Sequence, residues 1–322
     1  MKMNDMSLWT PARFGAVLWL GALITSLTSC DKKVEPKEEF QMTVDNIQLE
    51  VTKLNTPTPL HNAANIYWMA QAGNAIYLAS PSNSGSTQFF DKYDLSTNTF
   101  TSLNTSPWLC ACGYSSKIVS DGTNLFYIPE GRGGKYNTAT NTWSTTAYSA
   151  EAGNTGGEPG VGVLNGRIYF IGQRDKSKAF KYYDIASNAW GFTTDYLYST
   201  NSSLVVGAAN KLYVFGGDDA VRKVSVYDPA TQTWTAKRDA TFDIGGSWGS
   251  HLTALLQDRF VFLLKGNKIY IYDIQTDNWS VTPRTITVNA GLGSQNIFAI
   301  NGKLYLAGIN DANFELFELK VK

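Results

Sequence analysis

The hydrophobic pattern between Lys211 and Trp234 shows the unit that organises the chain. The apolar run Leu212–Phe215 ends in two glycines, and a polar loop separates it from a second, alternating run, Val224–Tyr227. An aspartate and a short turn then lead to Trp234. Short apolar or alternating runs bounded by glycine and polar clusters are typical of β-strands. We therefore predict two antiparallel strands joined by a loop, followed by a hairpin into a third strand.

This unit recurs along the chain. In five places a tyrosine, followed by Asp or once by Asn, precedes another aromatic residue by seven positions, and successive tyrosines lie 43 to 47 residues apart. The pairs are Tyr93 and Phe100, Tyr136 and Trp143, Tyr183 and Trp190, Tyr227 and Trp234, and Tyr272 and Trp279. A strand-rich repeat of about 40–50 residues predicts a β-propeller with one four-stranded blade per period. Helical repeats would need apolar residues at a spacing of three or four, which these segments lack.

The repeated marks resemble the kelch family of propellers, over roughly residues 45–322. They are Gly216-Gly217 after a second strand, the tyrosine steps and the tryptophans. In kelch blades the two glycines close the second strand, and the tyrosine and tryptophan pack between neighbouring sheets, so the resemblance implies the same packing here. Gly172 and Gly308 each stand alone in other blades, and Ala79-Ser80 replaces the pair in the first.

A sixth copy of the repeat begins at Phe317, but the chain ends before an aromatic partner appears. The segment Val51–Pro57 resembles Phe100–Ser106, the outer strand of the first blade. We expect residues 46–54 to form the outer strand of the last blade by pairing with Phe314–Val321, which leaves no open seam. The predicted fold is an all-β, six-bladed kelch-type β-propeller spanning residues 45–322, closed by an N-terminal strand in the last blade.

The start of the chain predicts a lipid anchor. Residues 1–29 have a basic beginning and an apolar run, Phe14–Thr28, that is shorter than the roughly 20 residues of a bilayer span, so they are typical of a secretory signal. Leu27–Cys30 resembles a bacterial lipobox, which implies that Cys30 receives the lipid. The alternative is an ordinary signal peptide with an incidental cysteine. Residues 30–44, including the charged run Asp31–Glu39, are predicted to be a solvated tether.

By analogy with lipoproteins, we expect the protein at the cell envelope, on the periplasmic face or the surface of the outer membrane, with the leaflet left open. The chain has 27 basic and 27 acidic residues, a formal net charge of zero, which does not favour nucleic acid as a partner.

Few residues offer catalytic or metal chemistry. Cys110 and Cys112 are compatible with buried thiols, a strained disulfide or two metal ligands, although a zinc site normally needs about four nitrogen or sulfur ligands. The two histidines are His61 and His251. The copper oxidases that share the kelch scaffold need tyrosine and histidine ligands plus a tyrosine-linked cysteine, and these residues do not assemble that set. We expect no cofactor and no metal.

The loops predict where a ligand would bind. Connections between second and third strands, and crossovers from one blade to the next, leave the blades on one face and vary in sequence, whereas the turns on the other face are uniform. Within the crossover Asp243–His251, small residues flank Trp248, which is compatible with a stacking platform or with a plug in the central channel. The candidate ligand-binding residues are Trp108, Tyr114, Arg132, Glu158, Arg174, Trp248, His251 and Arg284.

These observations favour a non-catalytic binding module with a protein or glycan partner. The alternative is a carbohydrate enzyme similar to the bacterial sialic acid mutarotases, which would require His251, Glu158 and an arginine such as Arg284 to converge on the channel mouth. A structural envelope component without a small ligand is the third possibility. Whether any catalysis occurs, the oligomeric state and the identity of the partner do not follow from these residues.

Overall fold

The computed structural model describes residues 42–63, 66, 68–80, 88–106, 117–128, 133–146, 159–172, 177–245, 252–288, 293–311 and 313–322. Residues Met42–Lys322 form one compact unit. Regular structure in the described residues consists of β-strands apart from a single 3₁₀ position at Ala63, as the alternating patterns predict.

Twenty-five strands are described, numbered here in chain order. They are β1 Leu49–Lys53, β2 Trp68–Ala72, β3 Ala75–Ser80, β4 Phe89–Asp94, β5 Thr99–Ser102, β6 Lys117–Ser120, β7 Asn124–Ile128, β8 Gly134–Asn137, β9 Thr142–Thr145, β10 Gly160–Leu164, β11 Arg167–Ile171, β12 Phe180–Asp184, β13 Ala189–Phe192, β14 Leu204–Ala208, β15 Lys211–Phe215, β16 Val224–Asp228, β17 Thr233–Ala236, β18 Thr253–Leu256, β19 Phe260–Lys265, β20 Lys268–Asp273, β21 Asn278–Trp279, β22 Arg284–Thr285, β23 Gly293–Ile300, β24 Lys303–Asn310 and β25 Asn313–Val321.

The strands form six antiparallel sheets, the blades of a propeller. Blades one to four are β2–β5, β6–β9, β10–β13 and β14–β17, each in sequence order from inner to outer strand. Blade five is β18–β21, with β22 also pairing β20, and blade six is β23, β24, β25 and β1. The inner strands β2, β6, β10, β14, β18 and β23 each contact the next, and β23 contacts β2, so the ring is closed. The predicted six-bladed propeller is confirmed.

The hydrophobic core is divided into six clusters, one between each pair of neighbouring blades. All five predicted tyrosine–aromatic pairs lie directly opposite each other on third and fourth strands. Their ring centroids are 4.9 to 5.9 Å apart, within the range of favourable aromatic pairs. Each pair faces the preceding blade, so these aromatic residues hold neighbouring sheets together, as the kelch resemblance implied.

A polar contact between neighbouring blades accompanies the aromatic pair and was not predicted from the sequence. We call it the latch: an Asn or Asp five residues after the tyrosine accepts hydrogen bonds from the tyrosine hydroxyl and from a backbone amide of the preceding blade. Asn141, five residues after Tyr136, has a left-handed backbone (φ 54°) and accepts hydrogen bonds from the Tyr136 hydroxyl at 2.9 Å and from the amide of Asn104, in the preceding blade, at 3.0 Å. The Trp143 indole donates to the Asn104 carbonyl at 2.8 Å. Asp277 makes the same contacts with Tyr272 and with the amide of residue 238. Burial and then Asp277 raise the pKa of Tyr272, so the phenol remains a donor.

Blade four departs from the latch because its side chain at that position is longer. Gln232 replaces Asn or Asp, and the Tyr227 hydroxyl pairs instead with Thr193 Oγ1 at 2.6 Å. Within the described part of the chain, the buried indole nitrogen of Trp234 has no hydrogen-bond partner. An Asn or Asp at this register therefore completes a blade-to-blade contact that Gln does not reproduce.

The N-terminal strand closes the ring as predicted. β1 pairs with β25 from Leu49 opposite Val321 to Lys53 opposite Phe317. Gln48 and Lys322 exchange backbone hydrogen bonds of 3.0 Å beyond the end of the ladder. Lys53 thus stands where other blades carry an aromatic residue, with its ammonium 6.0 Å from the Phe317 ring centroid.

The turns between third and fourth strands are held by their first residue. Asp94, Asn137, Asp184, Asp228 and Asp273 each accept a backbone amide two or three residues ahead through Oδ1. Asp273 is the buried member of this set, and Arg259 donates to both of its carboxylate oxygens, at 3.0 and 2.7 Å. Burial by itself would raise the pKa of Asp273, but the hydrogen bonds from Arg259, the Gln275 amide and Thr276 outweigh it and hold that pKa below its usual value.

A carboxylate with a lowered folded-state pKa contributes stability that is present above the unfolded-state value, about 3.9, and is lost as pH falls through the folded value. We therefore predict that Asp273→Asn lowers the free energy of unfolding at pH 7 by about 1–3 kcal/mol and flattens its decline at acid pH. Urea titrations from pH 7 to pH 2 measure both effects. Asp228→Asn is the control, because Asn137 shows that Asn can cap this turn. An Asp273→Asn curve parallel to wild type throughout would contradict the assignment.

Candidate functional site

The inner strands enclose a central channel of about 290 Å³, lined by residues from all six blades. Val161, Val163, Val205 and Leu255 supply much of its wall, and Gln71, Ser120 and Thr253 supply polar side chains. This described part of the channel is lined by no ionisable side chain. It therefore offers shape and neutral hydrogen bonding and holds no group for acid–base chemistry.

Glycines bring two inner strands together on one side of this channel. A Cβ on Gly162 of β10 would lie 2.4 Å from the Val205 side chain, and one on Gly207 of β14 would lie 2.4 Å from the Val163 carbonyl oxygen. Since real Cβ atoms do not approach so closely, blades three and four pack at this distance only because both positions are glycine.

Two faces of the ring differ in character. The turn face carries the connections from first to second and from third to fourth strands, and the loop face carries the second-to-third loops and the crossovers.

On the loop face, His61 contacts the third strand of blade one. It lies in the crossover from blade six to blade one, and its Nδ1 is 2.8 Å from Asp91 Oδ2 on β4. Its ring stacks on Phe89 at 4.7 Å with an interplanar angle of 8°. The His61 side chain is a third exposed, whereas that of Asp91 is 3% exposed.

His61 belongs to a recurring arrangement in which a crossover is anchored on the blade it enters. Asp91, Ser225 and Tyr270 each lie two residues before the third-strand tyrosine of their blade. Ser225 receives a long hydrogen bond, 3.5 Å, from buried Tyr196, and Tyr270 stacks on Phe242 with centroids 3.4 Å apart. The anchor is therefore aromatic in blades four and five and a histidine–carboxylate pair in blade one. Sequence analysis did not select His61, and the recurring position two residues before each tyrosine was the available signal.

The crossover from blade four to blade five is fixed to the preceding loop of the same blade. The amides of Ala240 and Ile244 donate to the carbonyls of Arg222 and Val221 at 2.8 and 2.7 Å. Arg222 Nε also lies 2.6 Å from Asp243 Oδ1, and this hydrogen bond and charge hold the pKa of Asp243 below its usual value.

Alongside it, Lys223 pairs with Asp239 at 2.6 Å, and Lys265 donates to the Asp243 carbonyl. These contacts give the loop face a rigid, mixed-charge base up to Gly245.

Most predicted site residues lie outside the described residues. These are Trp108, Tyr114, Arg132, Glu158, Arg174, Trp248, His251, the proposed lipidation site Cys30, and the pair Cys110 and Cys112. Across the described ranges, no group of three or more His, Cys, Asp or Glu side chains could hold a metal ion. The same part of the chain contains no helix long and apolar enough to cross a membrane.

Comparison with known proteins agrees with the geometry. The Kelch motif model matches residues 201–239, which contain all four strands of blade four. The fold is a kelch-type six-bladed propeller. The chain is 25% identical over 162 residues to Kelch-like protein 35 of Mus musculus, covering 48% of this chain and 27% of that protein. It is 24% identical over 224 residues to Kelch-like protein 25 of Xenopus tropicalis, covering 60% of this chain and 36% of that protein. The chain thus spans about a third of the length of these relatives.

Arg284 is the predicted site residue that the structure describes, and it lies at the ring closure and not at the channel mouth. It stands on β22, in the outer strand position of blade five, and donates to the carbonyls of Ile47 at 2.5 Å, Val44 at 2.8 Å and Asp45 at 3.0 Å. A further bond reaches the Thr282 carbonyl. Its guanidinium is thus used by backbone acceptors, and a ligand-binding role for Arg284 stays a prediction.

Asp45 completes the same contact from the N-terminal side. Its Oδ1 accepts the Val281 amide at 2.9 Å, the role that Asn141 and Asp277 play in their latches. Blade six has no turn between its third and fourth strands, because these strands come from opposite ends of the chain. The segment 43–47 therefore supplies the blade-to-blade contact that such a turn makes elsewhere.

We predict that Arg284→Ala destabilises the ring by about 2–3 kcal/mol, since it leaves partly buried carbonyls without their charged donor. Arg284→Lys should recover little of this loss, because an ammonium does not reproduce the planar fork. Thermal and urea unfolding of both variants provide the measurement. Arg222→Ala, which removes an exposed ion pair, is the control and should change stability by no more than about 1 kcal/mol. Equal stability of Arg284→Ala and Arg222→Ala would contradict a closure role.

Proposed function

We propose that this protein is a non-catalytic binding module that holds a protein or glycan partner on its loop face while a lipid on Cys30 anchors it at the cell envelope. The observation that carries the proposal is the contrast between the two faces. The turn face repeats the same capped turns, whereas the loop face presents different side chains from blade to blade on a rigid base. Variable loops on a rigid scaffold are where binding is usually found.

A kelch-type propeller suggests a protein-binding module, and the kelch-like relatives are consistent with that part of the proposal. The bacterial lipoprotein assignment depends on the sequence alone, on the signal-like residues 1–29 and the lipobox-like Leu27–Cys30. The outer membrane, on either its periplasmic face or its surface, is the proposed location. The predicted tether, residues 30–44 with the charged run Asp31–Glu39, would then link the lipid to the ring.

A mutarotase-like carbohydrate enzyme is the second candidate, and the position of Arg284 weakens it. That function was expected to use Arg284 with His251 and Glu158, but Arg284 is bound to the backbone of the closure segment. The described channel wall also lacks an ionisable group. A binding function requires neither an arginine at the channel mouth nor an ionisable group in the channel wall.

The anchor is tested by metabolic labelling with an alkyne fatty acid in a bacterial host. We predict that the wild-type chain incorporates the label and fractionates with membranes, and that Cys30→Ser does neither. An unlabelled wild-type chain would refute the lipoprotein assignment and leave the binding function to be judged separately.

The binding face is tested by in-cell crosslinking with charge reversals on opposite faces. Arg222→Glu alters the loop face, and Lys211→Glu alters the turn face, where Lys211 pairs with Asp228 at 3.2 Å. We predict that Arg222→Glu reduces the yield of a specific crosslinked partner at least fivefold and that Lys211→Glu leaves it near wild type. Equal losses in both variants, or no specific partner for the wild type, would contradict the proposal.

A further inference from the structure

The His61–Asp91 pair anchors a crossover but buries a carboxylate, which is energetically unfavourable. Asp91 is 2% exposed, and its Oδ1 has no hydrogen-bond partner among the residues that the structure describes. A buried polar atom without a partner destabilises the fold, because the hydrogen bonds it made with water are not replaced. Ser225 with Tyr196, at the same register in blade four, shows that the anchor needs no charge. Anchoring alone therefore does not account for a carboxylate here, and such local departures from the cheaper solution are expected at functional sites.

The pair fixes the orientation of the imidazole. An ionised carboxylate only accepts hydrogen bonds, so His61 Nδ1 is the donor to Asp91, and in the neutral ring this leaves the lone pair on Nε2. Stacking on Phe89 fixes the ring plane. The His61 side chain is a third exposed, so part of it remains open to solvent although Nδ1 is bonded to a buried carboxylate.

We propose that His61, oriented by Asp91, is a ligand-binding residue that accepts a hydrogen bond at Nε2 from a carbohydrate hydroxyl. The proposal rests on the use of the loop face for binding and specifies one class of ligand for it. The neutral Nε2 acceptor requires a ligand group that donates a hydrogen bond. Sugars carry many such groups, because each ring bears several hydroxyls. A side chain only a third exposed is also reached more readily by a hydroxyl on a small ring than by the broad surface of a protein partner.

The chain itself provides the matched control. The double variant His61→Tyr, Asp91→Ser installs at blade one the tyrosine–serine anchor of blade four. It removes both the imidazole acceptor and the unpaired carboxylate oxygen while keeping an aromatic anchor. We expect its melting temperature to equal or exceed that of wild type.

The test uses the chain from residue 30 with Cys30→Ser, and nitrogen-15 NMR of the imidazoles. Only two histidines are present, so His251→Gln leaves His61 as the single signal. We expect the Nδ1-protonated tautomer. We also expect a shift of the Nε2 resonance on addition of galactose, N-acetylglucosamine or N-acetylneuraminic acid. By calorimetry, the double variant should bind the same sugar at least tenfold more weakly.

Three outcomes would overturn the inference. An Nε2-protonated tautomer refutes the orientation, and the absence of any sugar-induced shift refutes the carbohydrate ligand. A double variant that melts well below wild type shows that the pair is an anchor and nothing more. None of these results depends on the crosslinking yield of Arg222→Glu, so failure here and failure of the proposed binding face are distinguishable.

Discussion

The pairing of β1 with β25 is the constraint on which the rest of the ring depends. Every cluster of the core lies between two blades, so no blade buries its faces unless both neighbours are in place. In five blades a covalent turn joins the third and fourth strands, but in blade six these strands come from the two ends of the chain. Backbone hydrogen bonds, the Lys53–Phe317 contact and the Arg284 contacts with residues 44–47 take the place of that turn. Closure is thus noncovalent at one seam, and the sequence there differs from the repeat.

The sequence repeat made the fold predictable. The contacts of Arg284 were not predicted, because they arise where the two ends of the chain meet in blade six. The seven-residue spacing from tyrosine to aromatic corresponds to cross-strand partners, so register and blade number followed from the sequence. Arg284 was expected at a ligand because an exposed-looking arginine in a crossover carries no sign of its backbone acceptors, which lie some 240 residues earlier in the chain. Asn141 and Asp277 were missed as latches since their partners belong to another blade. His61 was missed because nothing local links it to Asp91.

Polar groups have different roles on the two faces of the ring. On the turn face carboxylates and amides accept hydrogen bonds within their own turns. The Ser96 hydroxyl lowers the pKa of Asp94, and the Ala230 amide lowers that of Asp228. On the loop face polar groups tie crossovers to blades and still present an edge to solvent, as His61 and the Arg222–Asp243 pair do. Blade one uses a histidine–carboxylate pair where blades four and five use aromatic rings, and this unequal anchor is what points to a ligand and not to packing alone. A binding module needs this combination of uniform scaffold and unequal loops.

Native-state hydrogen exchange tests most directly whether the ring closes through β1. If β1 is an integral strand of blade six, its amides should exchange with the same free energy as those of β25, and both should match the slowest amides of the inner strands, since opening the seam would open the ring. Mass-spectrometric exchange on peptides covering 48–54 and 314–322 gives this comparison. Exchange of β1 at the rate of a frayed terminus, with β25 and the inner strands still protected, would contradict the account.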